Sequence, residues 1–221
     1  MHAMCRDVPG MTAHFSRIPV VGDTGSAADY AWERMLDAAT LLSHAKPDAI
    51  SWNGTKGGVL GFDIDRQLTA RICETTGVPA STSALAVLDA LHIINARRIA
   101  LITPYDTAYQ RKCIDAFSAK GFACVAERHS GLTDNFAYGG VAKDDIIAMT
   151  RAAVAEARPD VVIFFCTNFM GAEVAPDLED ELGLTVLDST ALGVWGALRS
   201  AGCSTLPLAR WGRIFRVRER D

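Results

Sequence analysis

The chain has 221 residues, enough for one large domain or two small ones with a substantial core. Hydrophobic residues make up 49% and charged residues 22%, a globular composition, and a formal net charge of −4 argues against a surface for nucleic acid or an anionic membrane. No apolar stretch approaches a membrane span, and the first residues lack the apolar centre of a signal peptide, so a cytoplasmic protein is expected.

From Pro47 onward the chain alternates strands and helices. KPDAISWNG predicts a short buried strand, and FDIDRQLTARICETTG an amphipathic helix that ends, as helices often do, at a glycine. PAST predicts a brief strand and SALAVLDALHIIN a helix with Ser81 or Ser83 available as its cap. RRIALITPY reads as another buried strand, DTAYQRKCIDAFSAKG as a helix, FACVAERHS as a strand and KDDIIAMTRAAVAEARP as a helix stopped by Pro159. The strand PDVVIFFC, a helix over AEVAPDLEDELG, the strand LTVLDS and the helix TALGVWGALRSAG complete the series. Continuous apolar strands separated by helical patterns predict an α/β fold whose sheet is mostly parallel and covered on both faces.

Two of these strands open alike. Pro-Asp begins each, at Pro47 and at Pro159, 112 positions apart, and an apolar run follows. The first copy ends in Gly54-Thr55-Lys56 and the second in Cys166-Thr167-Asn168. The spacing is close to half the chain, so an internal duplication is expected. The first lobe would hold residues 1–95 plus a returning segment, 189–221, and the second lobe residues 96–188. Ligands of open parallel sheets bind beyond the carboxyl ends of the strands. The two turns should therefore line one cleft, a preferred place for small-ligand sites, and be related by an approximate two-fold.

The six cysteines show no CxxC, and the histidines show no HxxxH or HExxH, so no metal site is expected. Disulfides are not expected in a cytosolic chain, and most of these thiols read as small core fillers. Cys166 differs in position. It leaves a strand where a following helix would point its amides at an anion, which would lower the thiol pKa and expose the sulfur. The bland alternative is a core cysteine at a strand end. Thr167 and Asn168 would add hydroxyl and amide donors for a small anionic ligand. No histidine stands in a motif relationship to Cys166, which leaves proton transfer at carbon or attack on an electrophilic carbon. His129 reads as a surface-loop residue, His92 as a helix-face residue, and DLEDELG as a solvated helix face.

Taken in order, ISWNGT, TSALAVLDAL, RRIALITPY, CTNF, LGLTVLDSTALGVWGALRSAG and the terminal WGRIF resemble the aspartate/glutamate racemase superfamily. The nearest branch is that of maleate cis-trans isomerase and arylmalonate decarboxylase. The resemblance runs from about residue 30 to about residue 215. It implies two flavodoxin-like lobes with a cleft between them, and neither a metal nor an organic cofactor. In the racemases one cysteine per lobe works on each face of the substrate's α-carbon, and in maleate isomerase the first-lobe thiol attacks the double bond. Here Gly54 holds that first position. The arylmalonate decarboxylase pattern, glycine-threonine in the first lobe and cysteine in the second, is the one found in this chain.

The resemblance therefore implies decarboxylation of a substituted (aryl)malonate through an enediolate that Cys166 protonates on one face. Gly54, Thr55, Lys56, Tyr105, Thr167 and Asn168 would surround a small carboxylate substrate. The Thr55 hydroxyl and amide, the Lys56 amide, the Tyr105 hydroxyl and the Thr167 amide would hold the enediolate charge. Trp52 and Phe169 would wall the apolar side, where poor solvation favours loss of a carboxylate. Two alternatives stand beside this reading. One is racemisation or isomerisation of a small dicarboxylate or amino acid by Cys166 with a non-cysteine partner. The other is a silent ligand-binding homologue. Monomer and oligomer are both open.

Three departures mark the chain. Lys56 stands where the decarboxylase has a small hydroxyl residue, and Thr167-Asn168 where it has two glycines. The family's opening strand, with its Pro/Ser/Asn turn for a substrate carboxylate, has no counterpart in MHAMCRDVPGMTAHFSRIPVVG, which resembles the region after it. Either a truncated start or loss of part of the site would account for this. Arg213 is expected to tie the tail to the first lobe.

Overall fold

Parallel strands cannot be joined by a tight turn, so each strand of this chain hands over to helix before the next strand begins. The computed structural model describes residues 1–19 and 30–217; residues 20–22 of the opening stretch and 218–221 of the tail lie outside them. A short helix α1 (His2–Asp7) is followed by α2 (Trp32–Ser43), β1 (Ile50–Trp52), α3 (Lys56–Leu60), α4 (Asp63–Thr76), β2 (Ala80–Thr82) and α5 (Ser83–Ile93). Next come β3 (Arg98–Tyr105), α6 (Thr107–Ala119), β4 (Ala123–Leu132), the single turn α7 (Asn135–Tyr138), α8 (Lys143–Ala157) and β5 (Val161–Phe164). A 3-10 turn (Met170–Glu173), α9 (Ala175–Leu182), β6 (Thr185–Asp188) and α10 (Ser189–Ser200) follow, and two 3-10 turns carry the tail.

The α/β architecture and the all-parallel pairing match the expectation, but the two sheets are unequal. The second lobe has four strands in the order β4-β3-β5-β6; the first has two, β1-β2. The duplicated pieces correspond closely. Trp52 pairs with Thr82 at the end of the first pair, and Phe164 with Asp188 at the end of β5-β6. Thr82 then caps α5 by accepting from the Leu85 amide, and Asp188 caps α10 by accepting from the Ala191 amide. Among the described residues the first lobe has no counterpart of β3 beside β1.

Burial explains the strand sequences. Val161, Val162, Ile163 and Phe164 are completely buried, as expected for a strand covered by helices on both faces. Asp160, from the second Pro-Asp pair, accepts from the backbone amides of Arg97 and Arg98 at 2.8 and 2.9 Å and so pins the start of β3 to that of β5. Helix α4 ends at Gly77, whose φ of 70° is the left-handed conformation that glycine adopts without strain.

Helix α10 joins the halves. It packs on α5, β2 and β1 as well as on β6. The Ser51 hydroxyl donates to the Gly193 carbonyl across this seam. Gly193 has to be small: a Cβ there would fall 2.6 Å from Ser83 Oγ and 2.8 Å from Asn53 Oδ1. A smaller apolar cluster of Tyr30, Met35, Ala39, Ile50, Leu68 and Ile72 lies under α2 and α4. The tail departs from expectation. The Arg213 amide donates to Glu179 Oε2 at 2.7 Å and its guanidinium to the Glu179 carbonyl, so Arg213 ties the tail to α9 of the second lobe rather than to the first. No described helix is long and apolar enough to cross a membrane.

Candidate active site

Both marked turns start two residues beyond a strand end: Gly54 after Trp52, and Cys166 after Phe164. In the first turn Thr55, nearly buried, is the residue before α3, so the amides of Lys56 and Gly57 open a helix. Two glycines let this short helix sit deep. A Cβ on Gly58 would lie 2.3 Å from the Phe165 ring, and one on Gly57 would lie 1.8 Å from Asp65 Oδ1. Asp65 of α4 is completely buried. Its carboxylate accepts from the Tyr30 hydroxyl and, at 2.5 Å, from the Thr82 hydroxyl. The first turn therefore rests on a buried carboxylate held from two sides.

The second turn is held from α10. The Ser189 hydroxyl donates to the Phe164 carbonyl at 2.8 Å, and the Thr190 hydroxyl to the Thr167 carbonyl at 3.0 Å. Tyr105 links the two turns. It ends β3, is buried against Tyr109 and Tyr138, and its hydroxyl lies 3.2 Å from Thr55 Oγ1. The same hydroxyl and the Asn168 backbone amide are also the two groups that favour the thiolate form of Cys166. Thr55 and Tyr105 are thus hydrogen-bonded across the two turns, and Tyr105 is electrostatically coupled to Cys166.

The electrostatics of the thiol reverse the expectation. Burial pushes Cys166 up to about 11; the Tyr105 and Asn168 hydrogen bonds offset only part of this, and the Asp188 carboxylate adds to it. Two features of the fold explain the reversal. The sulfur is only 4% exposed, and the helix following Cys166 begins too far along the chain to direct its terminus at the sulfur. Tyr105 is likewise raised, chiefly by burial and then by Cys166, which keeps its hydroxyl a neutral donor.

Of the other expected site residues, Lys56 and Thr167 are half-buried at the two turns. Asn168 is exposed, with its side-chain amide given to the Asn135 carbonyl of α7, so that side chain fastens α7 to the turn while its backbone amide faces the sulfur. Phe169 is buried against Phe164. Among the described residues no three His, Cys, Asp or Glu side chains cluster as metal ligands. Asp65, Tyr30, Thr82 and Asp188 were not anticipated around the site. The pattern LDST before a helical run carries a capping signal that could have flagged Asp188; Asp65 sits in an ordinary acidic first turn and carries no such signal.

A family model described as arylmalonate decarboxylase matches residues 24–215. This chain belongs to the arylmalonate decarboxylase family. The arylmalonate decarboxylase of Bordetella bronchiseptica is 27% identical over 194 residues, covering 87% of this chain and 81% of that protein. A maleate isomerase of Nocardia farcinica is 28% identical over 137 residues, 61% of this chain and 53% of that protein. The fold is also that of a cysteine-to-serine variant of the Nocardia farcinica maleate cis-trans isomerase, solved with a covalently bound succinylcysteine intermediate. The TM-score is 0.84 at 21% identity, over 98% of this chain and 91% of that one. These relatives are a decarboxylase and an isomerase of small carboxylates, and this chain is an enzyme of the same family.

Asp188 gives this family member a distinctive pH response. Burial raises its carboxyl from 3.8 to about 7 against the opposing amides of Ala191, Thr190 and Ala172. Between those values the folded chain keeps a proton that the unfolded chain has released. Its contribution to stability is full below about pH 4 and is lost as the pH rises to about 7. Asp188→Asn keeps an oxygen to cap α10 and removes the titration. The variant is expected to gain stability relative to wild type on going from about pH 4 to about pH 8, measured as urea midpoints. A difference that does not change with pH would contradict the assignment.

Proposed function

We propose that the chain is a cofactor-independent decarboxylase of a substituted malonate, with Cys166 as the proton donor. The observation that carries this reading is the Thr55–Tyr105 hydrogen bond beside a single buried thiol whose pKa is raised, with a glycine at the matching position of the first turn. The substrate lies between the turn of Gly54, Thr55 and Lys56 and the turn of Cys166, Thr167 and Asn168. One carboxylate leaves as carbon dioxide, its C–C bond electrons passing to the α-carbon and the retained carboxylate as an enediolate. The Thr55 hydroxyl and amide, the Lys56 amide, the Tyr105 hydroxyl and the Thr167 amide are the donors for that charge, in a site poor in water. Cys166 gives its proton to the α-carbon, and the thiolate regains one from solvent.

A thiol pushed up to about 11 suits this role, because it is fully loaded with its proton at neutral pH and the enediolate carbon is a far stronger base. Racemisation or cis-trans isomerisation would need a second acid or a nucleophile on the first lobe, and Gly54 supplies neither.

The test is carbon dioxide release from 2-methyl-2-phenylmalonate, the simplest arylmalonate that leaves a chiral product, with maleate supplied in parallel. Release from the malonate alone supports decarboxylation; conversion of maleate to fumarate without it would replace this reading with isomerisation. Tyr105→Phe should lower kcat about a hundredfold with little change in KM, the expected effect of losing one donor to a developing oxyanion. A pure KM effect would remove Tyr105 from the enediolate site.

A further inference from the structure

We infer that Trp52 is a specificity-determining residue of this site. Its indole closes the first-lobe face against a second proton source, and its N–H is held for a substrate oxygen. The inference rests on the decarboxylase reading and explains how a single acid is enforced.

The argument starts at Gly54, the counterpart of Cys166 in the duplicated turn. Gly54 does not adopt a positive φ, so its backbone would accept any residue. What excludes a side chain there is the ring of Trp52. A Cβ built on Gly54 falls 2.5 Å from Cε2 and 2.6 Å from both Cζ2 and Nε1 of that indole, far inside van der Waals contact. The indole therefore fills the room from which a first-lobe thiol would reach the substrate.

Apolar packing holds the ring, which is partly buried. It packs against the small cluster of Tyr30, Met35, Ala39, Ile50, Leu68 and Ile72. Met35, Ala39, Ile50, Leu68 and Ile72 also line a small cleft of about 50 Å³ beside it. One atom is not accounted for by this packing. Trp52 Nε1 is buried and has no acceptor among the described residues. Buried donors are nearly always paired in native structures, and this one lies against Gly54, where a substrate carboxylate or carbonyl oxygen would satisfy it.

It follows that changing Gly54 alone does not produce a two-sided proton-transfer site. Gly54→Cys keeps the indole in place, and the new thiol has no path to the α-carbon. Two experiments test the wall. In the first, Gly54→Ala should lower Tm by about 5 °C in the wild-type background and leave it unchanged in a Trp52→Leu background, where the clash is gone. Equal losses in both backgrounds would overturn the steric coupling, whatever the activity.

In the second, enantiopure 2-phenylpropionate is incubated in D2O and replacement of its α-hydrogen by deuterium is followed. Gly54→Cys alone should exchange no faster than wild type, and Gly54→Cys/Trp52→Leu at least about tenfold faster, with loss of optical purity. If the single variant exchanges as fast as the double, Trp52 is not the wall. The donor role is tested separately by Trp52→Phe, which keeps a ring and removes the N–H. KM for 2-methyl-2-phenylmalonate should rise about tenfold with product enantiomer unchanged, and an unchanged KM would overturn it. Absence of carbon dioxide release by wild type would sink the decarboxylase reading, while the stability comparison would still decide the steric role of Trp52.

Discussion

Cys166→Ala is expected to lower kcat for a decarboxylated malonate by at least about a hundredfold, the low end for loss of a positioned general acid. KM and fold should change little. The sulfur is a small buried atom at the edge of the core, and its removal costs on the order of 1 kcal/mol. The thiol is held protonated by burial, and alanine keeps the turn that Ser189 and Thr190 fasten. Cys166→Ser should be nearly as poor, since a hydroxyl in the same pocket is a much weaker acid. Steady-state carbon dioxide release paired with urea denaturation decides the matter. Normal turnover by Cys166→Ala would show that another group delivers the proton.

Gly57→Ala should show the largest loss of stability, about 3 kcal/mol or more in urea denaturation. The added methyl would have to stand 1.8 Å from Asp65 Oδ1, and that oxygen cannot retreat. Tyr30 and Thr82 both donate to the carboxylate, which is packed without any exposure. Either the hydrogen bonds to Asp65 break in a buried site or α3 lifts and takes Thr55 out of reach of Tyr105. In an Asp65→Ala background the same glycine substitution should add almost nothing, because the two side chains are in contact and their effects cannot be additive. A Gly57→Ala variant as stable as wild type would mean that the carboxylate does not support the turn.

Much of this arrangement was readable in the chain itself, for identifiable reasons. The copies opening at Pro47 and Pro159 were legible because a buried parallel strand is a run of apolar residues and its exit is a small residue followed by a donor; β1, β5 and their turns lie where that pattern puts them. Tyr105 was legible as the last residue of an apolar strand whose end faces the same side. Helix α2 was missed although Met35 and Ala39 recur at helical spacing, because no glycine or capping residue marks its ends. The direction of the Cys166 shift was misjudged because sequence position suggests a helix terminus but cannot report how completely a sulfur is enclosed. Asp65 could not be found at all. Its neighbours in FDIDRQL include the exposed Asp63, and only the fold separates a solvated carboxylate from one pressed against Gly57. Arg213 was assigned to the wrong lobe because its partner, Glu179, lies in a stretch that reads as a solvated face.

The unequal sheets divide the site into halves of different resilience. Cys166 and Tyr105 are mounted on four mutually bonded strands, whereas Gly54, Thr55 and Lys56 extend from a pair of three-residue strands. A two-stranded ribbon has little independent stability, and the first-lobe pair is held by α10 and the small cluster beneath it. Local opening therefore falls on the turn of Gly54, Thr55 and Lys56 before it reaches Cys166 and Tyr105. In such an excursion the thiol, Tyr105 and Thr167 stay in place while the Thr55 and Lys56 groups proposed to hold an enediolate move away. Under the proposed decarboxylation, a partly opened molecule would leave its substrate unreacted rather than protonate it from the wrong side, so native-state fluctuation would cost speed and spare stereochemical fidelity.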